Sequence, residues 1–204
     1  MSPRNSRAEA AHTRERIVAM AVDEASRIGL EGLTIGALAD RLAMSKAGVV
    51  GPFGSREDLQ YATLERAGRV FRATVIDPLA DMPLGVARLT RLIDGWIDYL
   101  AECPFPGGCF VTAASTELDG RPGPLRDRLR KAVIDWRTLL IAEITAAQAE
   151  TATADRPPAE IATALIGISM AVNQEIQLLD DRSAARRGRA AMRTAAGLQQ
   201  SGPE

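Results

Sequence analysis

The stretch Leu33–Leu59, "LTIGALADRLAMSKAGVVGPFGSREDL", decides the fold. Thr34 suits a helix N-cap, where a hydroxyl accepts a hydrogen bond from an otherwise orphaned backbone N–H. Leu38 and Leu42 then share a helix face. Ser45 caps a second, short helix, and Gly51-Pro52 follows closely. Proline has no N–H, and its ring disfavours α geometry in the residue before it, so this helix is expected to end near Val50. "GPFGS" reads as a turn. Ser55, with Asp58 three residues later, opens another helix through an acidic variant of the capping box. Two short helices joined by a tight turn form a helix-turn-helix pattern.

Working outward, Ile17, Ala21, Ala25 and Ile28 make one apolar stripe of a helix from about Thr13, which Gly29 stops. Residues 1–12 are polar and expected as a flexible arm. The helix opened by Ser55 runs to about Ile76, ahead of Asp77-Pro78. Longer helices are expected over 84–101, 124–149 and 158–180, a short one over 109–118, and a basic one over 182–198, with a tail at 199–204. "CPFPGG", "DGRPGP" and "TATADRPP" separate them. The fold class is therefore all-α, with a head over 13–60 and a larger helical part over 61–198.

Composition agrees. Of 204 residues, 46% are hydrophobic but only 4% aromatic, so the core is built mainly from Ala, Leu, Ile and Val, an alphabet that favours helices. The net charge of −1 supplies no global field for nucleic acid, so any such contact must be local. Residues 1–16 carry Arg4, Arg7, Arg14 and Arg16 against Glu9 and Glu15. Two cysteines, Cys103 and Cys109, are too few for a disulfide scaffold. There is no apolar signal core or 18-residue apolar run, so the default expectation is a cytoplasmic protein without a membrane partner.

The ordered set Ile17, Ala21, Gly29, Thr34, Ala39, Ser45, Phe53, Ser55, Glu57 and Leu59 resembles the N-terminal motif of the TetR/AcrR family of transcriptional regulators. "FPGGCF", "ELDGRPGPLRDRL" and "AVNQEIQLL" are similar to one branch of that family. The resemblance implies an all-helical homodimer of about nine helices. Three N-terminal helices would bind a double-stranded DNA operator, and the rest would hold a small-molecule effector whose binding releases it. The last two long helices would form a four-helix interface with their mates, which makes Ile161, Leu165, Ile168, Val172, Ile176 and Leu179 the candidate interface stripe.

In the head, Thr34 and nearby N–H groups can hold a phosphate, and Lys46 is placed for a phosphate or guanine edge. Ser45 caps; Ala47 and Gly48 are small enough for close approach, and Ala47 suits a thymine methyl. Arg56 resembles the family's lysine after the turn and is a candidate phosphate partner. Where the family often shows Tyr, a variable residue, His and Phe, this chain reads Val50, Gly51, Pro52 and Phe53. Two usual phosphate contacts are thus absent. Phe53 reads as the plug that holds the reading helix, and Arg4, Arg7 and Arg14 as a compensating arm.

The candidate effector pocket draws on Trp96, Tyr99, Phe105, Phe110 and Trp136 as walls, with Glu117, Asn173 and Gln177 as polar contacts. Cys109 follows Gly107-Gly108 at a helix start, where a thiolate is favoured, so oxidant or electrophile sensing is an alternative. An enzyme using Cys109 as nucleophile is disfavoured: the only histidine is His12, and no metal-ligand spacing or cofactor motif occurs. A helical dimer with a vestigial head is the remaining alternative.

Overall fold

The computed structural model describes residues 3–151 and 156–198, and their regular structure is entirely helical. The expected tail at 199–204, part of the 151–158 loop and the side chains of Arg4 and Arg7 lie outside the described residues. Nine α-helices occur among them: α1 (Pro3–Ile28), α2 (Ile35–Leu42), α3 (Lys46–Val50), α4 (Arg56–Phe71), α5 (Val86–Glu102), α6 (Phe110–Leu118), α7 (Pro124–Thr151), α8 (Pro158–Leu178) and α9 (Ala184–Ala195). The polar arm expected before Thr13 is, from Pro3, a continuation of α1. Helix α4 stops at Phe71, short of the expected Ile76. A π-helical turn, Arg72–Ile76, and a 3₁₀ turn, Asp77–Leu79, complete the stretch, with the Asp77 N–H reaching back to the Arg72 carbonyl.

The chain forms two compact units. The first runs to Val70 and takes in Phe105–Leu129; the second comprises Phe71–Pro104 and the chain from Arg130. In the first, Ile17 and Ala21 of α1, Leu33, Leu38 and Ala39, Val49 of α3 and Leu59 of α4 form one buried cluster, against which Phe53 packs half-buried. The plug role read for Phe53 is therefore its actual position. In the second, α5 packs on α8 and α9, and α8 on α9. A Cβ at Gly188 of α9 would collide with the Val172 side chain, so glycine sets how closely α9 meets α8.

The stripe assigned to a dimer interface is corrected here. Ile161, Leu165, Val172 and Ile176 are buried within the chain itself, because α8 turns that face to its own unit. Ile168 is half-buried, and only Leu179 of the six is exposed. The solvent face of α8 instead carries Gly167, Met170 (45% exposed) and Leu178 (70% exposed).

Charged residues also organise the second unit. Arg88 Nε donates to both carboxylate oxygens of Glu143 (2.9 and 3.1 Å), and its Nη1 donates to the carbonyls of Leu79 and Met82 (2.7 and 2.8 Å). Glu143 is only 3% exposed. On α9, Arg193 and Arg189 pair with Asp94, Arg189 also with Asp98, and Arg187 with Glu175 and Asp181. Hydrogen bonds from Ser183 and Arg187 hold the Asp181 carboxyl down at about 2.

Breaking a buried pair from one side leaves an uncompensated charge, which costs about 3–5 kcal/mol, whereas replacing both partners by apolar groups is often tolerated. Arg88→Met should lower unfolding stability by roughly that amount. Arg88→Met with Glu143→Leu should recover most of it in urea denaturation. A double variant no more stable than the single would show that the pair's worth lies elsewhere.

Candidate functional site

The head is built around two caps. Thr34, in extended geometry, accepts a hydrogen bond from the Ala37 N–H at 3.2 Å and opens α2. Ser45 accepts from the Gly48 N–H at 3.0 Å and opens α3. Between them Ala43 takes a left-handed conformation (φ 51°), and its N–H and that of Met44 return to the end of α2. Ser45, Lys46, Ala47, Gly51 and Pro52 are exposed, Gly48 and Val50 half-buried and Val49 fully buried, so α3 presents one face outward.

Gly51 resolves the problem posed by Pro52. It sits in right-handed helical geometry (φ −50°, ψ −46°) directly before the proline. Part of the usual clash there is between the proline ring and the preceding Cβ, which glycine lacks. A Cβ at Gly51 would also approach the Ala47 carbonyl to 2.9 Å. The Val50 carbonyl then accepts from both Phe53 and Gly54 N–H, which closes the turn.

Lys46 is exposed, and no ion pair engages it among the described residues. Its stem lies over Gly36, where an added Cβ would meet Cε at 3.6 Å and Nζ at 3.9 Å. The ammonium thus stands beside Gly36 in the first turn of α2, the helix that exposed Thr34 caps. A helix N-terminus, a hydroxyl and an ammonium converging in this way suit a phosphate.

Arg56 is corrected. Its Nε donates to the Leu33 carbonyl (3.0 Å) and its Nη2 to the Glu31 carbonyl (2.6 Å), so the guanidinium faces the protein's own backbone. It fastens α4 to the turn before α2. Arg14 stacks over Phe53, 4.8 Å from the ring centre.

The candidate effector residues are distributed over both units. In the second, Trp96 and Trp136 (4.9 Å), Trp136 and Phe71 (4.9 Å), and Phe71 and Tyr99 (5.2 Å) meet edge to face, all near 90°. Phe71 lies outside the aromatic set expected from sequence; the signal it offers there is its place one turn beyond apolar Ala67. Asn173 is half-buried, and Gln177 donates to Cys103 Sγ at 3.0 Å. In the first unit, Phe105 and Phe110 are buried against each other.

Glu117 is committed to backbone. Its carboxylate accepts the N–H groups of Leu30 and Glu31, both at 2.8 Å, and so ties α6 to the turn before α2, on the wall of an open cleft that Ser26, Gly29 and Thr116 also line. Gly29 permits this: it has φ +80°, and a Cβ there would lie 2.6 Å from Glu117 Oε1. Nearby, the Gly107 N–H donates to Ser26 Oγ (3.0 Å), and a Cβ at Gly107 would collide with the Ser26 carbonyl. Cys109 is the N-cap of α6 and only 8% exposed; neither cysteine is in a disulfide. Burial removes the access on which thiol sensing depends.

A family model described as the tetracyclin repressor-like C-terminal domain matches residues 85–192. The chain belongs to the TetR family of transcriptional regulators. A TetR regulator from Chloroflexus aurantiacus superposes with a TM-score of 0.81 at 22% identity, covering 94% of this chain and 97% of that one. AibR, solved in complex with isovaleryl coenzyme A and operator DNA, gives 0.73 at 18% identity, covering 88% and 95%. A regulator from Saccharomonospora viridis in complex with choline gives 0.73 at 21%, covering 90% and 95%. No curated protein sequence matches the chain. No helix of this TetR-family chain, among the described residues, is long and apolar enough to cross a membrane.

Arg56→Ala should destabilise the protein by about 1–3 kcal/mol, since two carbonyls of a tight turn lose charge-assisted partners. Arg56→Lys, which cannot fork to both, should recover little of that in thermal denaturation. Full recovery by lysine would mean that charge alone matters at this position.

Proposed function

We propose that this TetR-family regulator is a homodimeric repressor that binds a palindromic operator and is released by a small-molecule effector. The observation that carries the reading is the α2–α3 pair. Its exposed reading face, the capped N-terminus of α2 and the Lys46 ammonium laid over Gly36 form one surface suited to a duplex. The likeness to AibR, solved with operator DNA, supports it.

The dimer contact is assigned to the solvent face of α8, through Gly167, Met170 and Leu178, together with α9. Two-fold symmetry would set the two heads in successive major grooves, roughly 34–36 Å apart. The effector is placed against the aromatic series Trp96, Trp136, Phe71 and Tyr99. Two neighbouring folds are solved with small molecules, isovaleryl coenzyme A and choline, which supports a small organic ligand without choosing one. Glu117 is assigned a positioning role, holding the turn that carries the α2 N-terminus.

Footprinting on the DNA flanking the gene should reveal a protected palindrome, and the absence of any protected site would sink the reading. Lys46→Ala should weaken binding at least several-fold and reduce the magnitude of the log–log salt slope by about one, the signature of one lost phosphate contact. An unchanged slope would remove Lys46 from the phosphate set.

Both tryptophans of the chain are in the aromatic series, so tryptophan emission, excited beyond the tyrosine band, reports on that region alone. An effector that releases DNA should shift the emission. Release with no spectral change, and with undiminished effect on Trp136→Phe, would place the effector elsewhere.

A further inference from the structure

The head holds few cations near the reading face, and most are engaged. Arg56 is turned to the Glu31 and Leu33 carbonyls, and Arg41 pairs with Glu24 at 2.6 Å. The Lys46 stem is directed over Gly36 toward α2. Ser45 Oγ accepts the Gly48 N–H as the cap of α3, which leaves its O–H to donate to a phosphate oxygen. What remains outward from Ala47 to Pro52 is a methyl, two glycine backbones, part of an isopropyl group and a pyrrolidine ring. Apart from Ser45 and Lys46, no side chain from Ser45 to Pro52 carries a hydrogen-bonding group.

The chemistry of base edges then narrows what this surface can read. Guanine is recognised by Arg or Lys at O6 and N7, adenine by Asn or Gln at N6 and N7, and cytosine by a carboxylate at N4. None of these lies on the outward face beyond Lys46. Only the C5-methyl group of thymine is apolar, and it alone is matched by Ala and Val side chains. Resting on the functional reading above, we propose that this regulator recognises its half-site chiefly through pyrimidine C5-methyl groups, contacted by Ala47 and Val50. Lys46 and Thr34 supply the phosphate grip, and Ala47 and Val50 determine specificity. The half-site is accordingly thymine-bearing where α3 enters the major groove, and 5-methylcytosine is a partial substitute there.

The test alters the DNA and leaves the protein intact. The footprinted operator is synthesised with deoxyuridine in place of thymidine, one position at a time, and with 5-methylcytosine·guanine or cytosine·guanine at the same positions. Each contacted methyl should be worth roughly fourfold in affinity, the value of one buried apolar carbon. The salt slope should not change, because no phosphate contact is lost. 5-Methylcytosine should bind more tightly than cytosine. Val50→Ala or Ala47→Gly should shrink the thymidine–deoxyuridine difference. Equal affinity for thymidine and deoxyuridine duplexes at every position overturns the inference while leaving the functional reading in place. A half-site without thymine opposite α3 does the same. A protein that protects no DNA overturns both.

Discussion

The turn from Gly29 to Leu33 must satisfy its backbone without belonging to a helix, and the head depends on how it does so. Its N–H groups at Leu30 and Glu31 go to Glu117 of α6. Its carbonyl at Leu30 takes the Gln60 amide of α4 at 2.7 Å, and those at Glu31 and Leu33 take Arg56. Buried or half-buried backbone polar groups rarely go unpaired, because each lost partner costs as much as a hydrogen bond. Here the partners are side chains of two other helices. Thr34 follows at once, so the orientation of α2, and the placing of α3 after it, are set by contacts made outside the helix-turn-helix.

This arrangement explains what could and could not be read from the sequence. The caps Thr34 and Ser45, the early end of α3 and the plug Phe53 depend on neighbours within a few residues, and each lies where local chemistry puts it. The bonds that engage Arg56 and Glu117 are invisible in sequence because their partners lie 23 to 25 and 86 to 87 residues away. A charge on a helix looks the same in sequence whether it meets a phosphate or a carbonyl. The α8 stripe was found correctly as a stripe, but periodicity says only that a face is buried, not whether by its own chain or a partner. The early start of α1 at Pro3 shows the converse: a polar helix has no apolar period to reveal it.

The chain has 23 arginines and two lysines, and their weight depends on where the charges are located. Four arginines give α9 its basic appearance, yet three of them, Arg187, Arg189 and Arg193, are paired with carboxylates of the same unit. Arg88 is spent on Glu143 and two carbonyls. The local electrostatics therefore depend less on how many arginines the chain has than on where its uncommitted cations lie. Lys46 stands out by its place beside Gly36 in the first turn of α2.

The interleaving of the first unit has a consequence for the order of events during synthesis. A chain that has emerged only to residue 70 contains every helix of the reading head but not Glu117 or the Gly107 loop. Until residues 105–129 follow, the Leu30 and Glu31 N–H groups can bond only to water, and the end of α1 lacks its cover. Contacts of such long sequence separation form late, since loop closure must precede them. The nascent head thus matures only after the first part of the C-terminal half has been made. In effect, the surface suited to DNA is finished by the half of the chain that the family model matches.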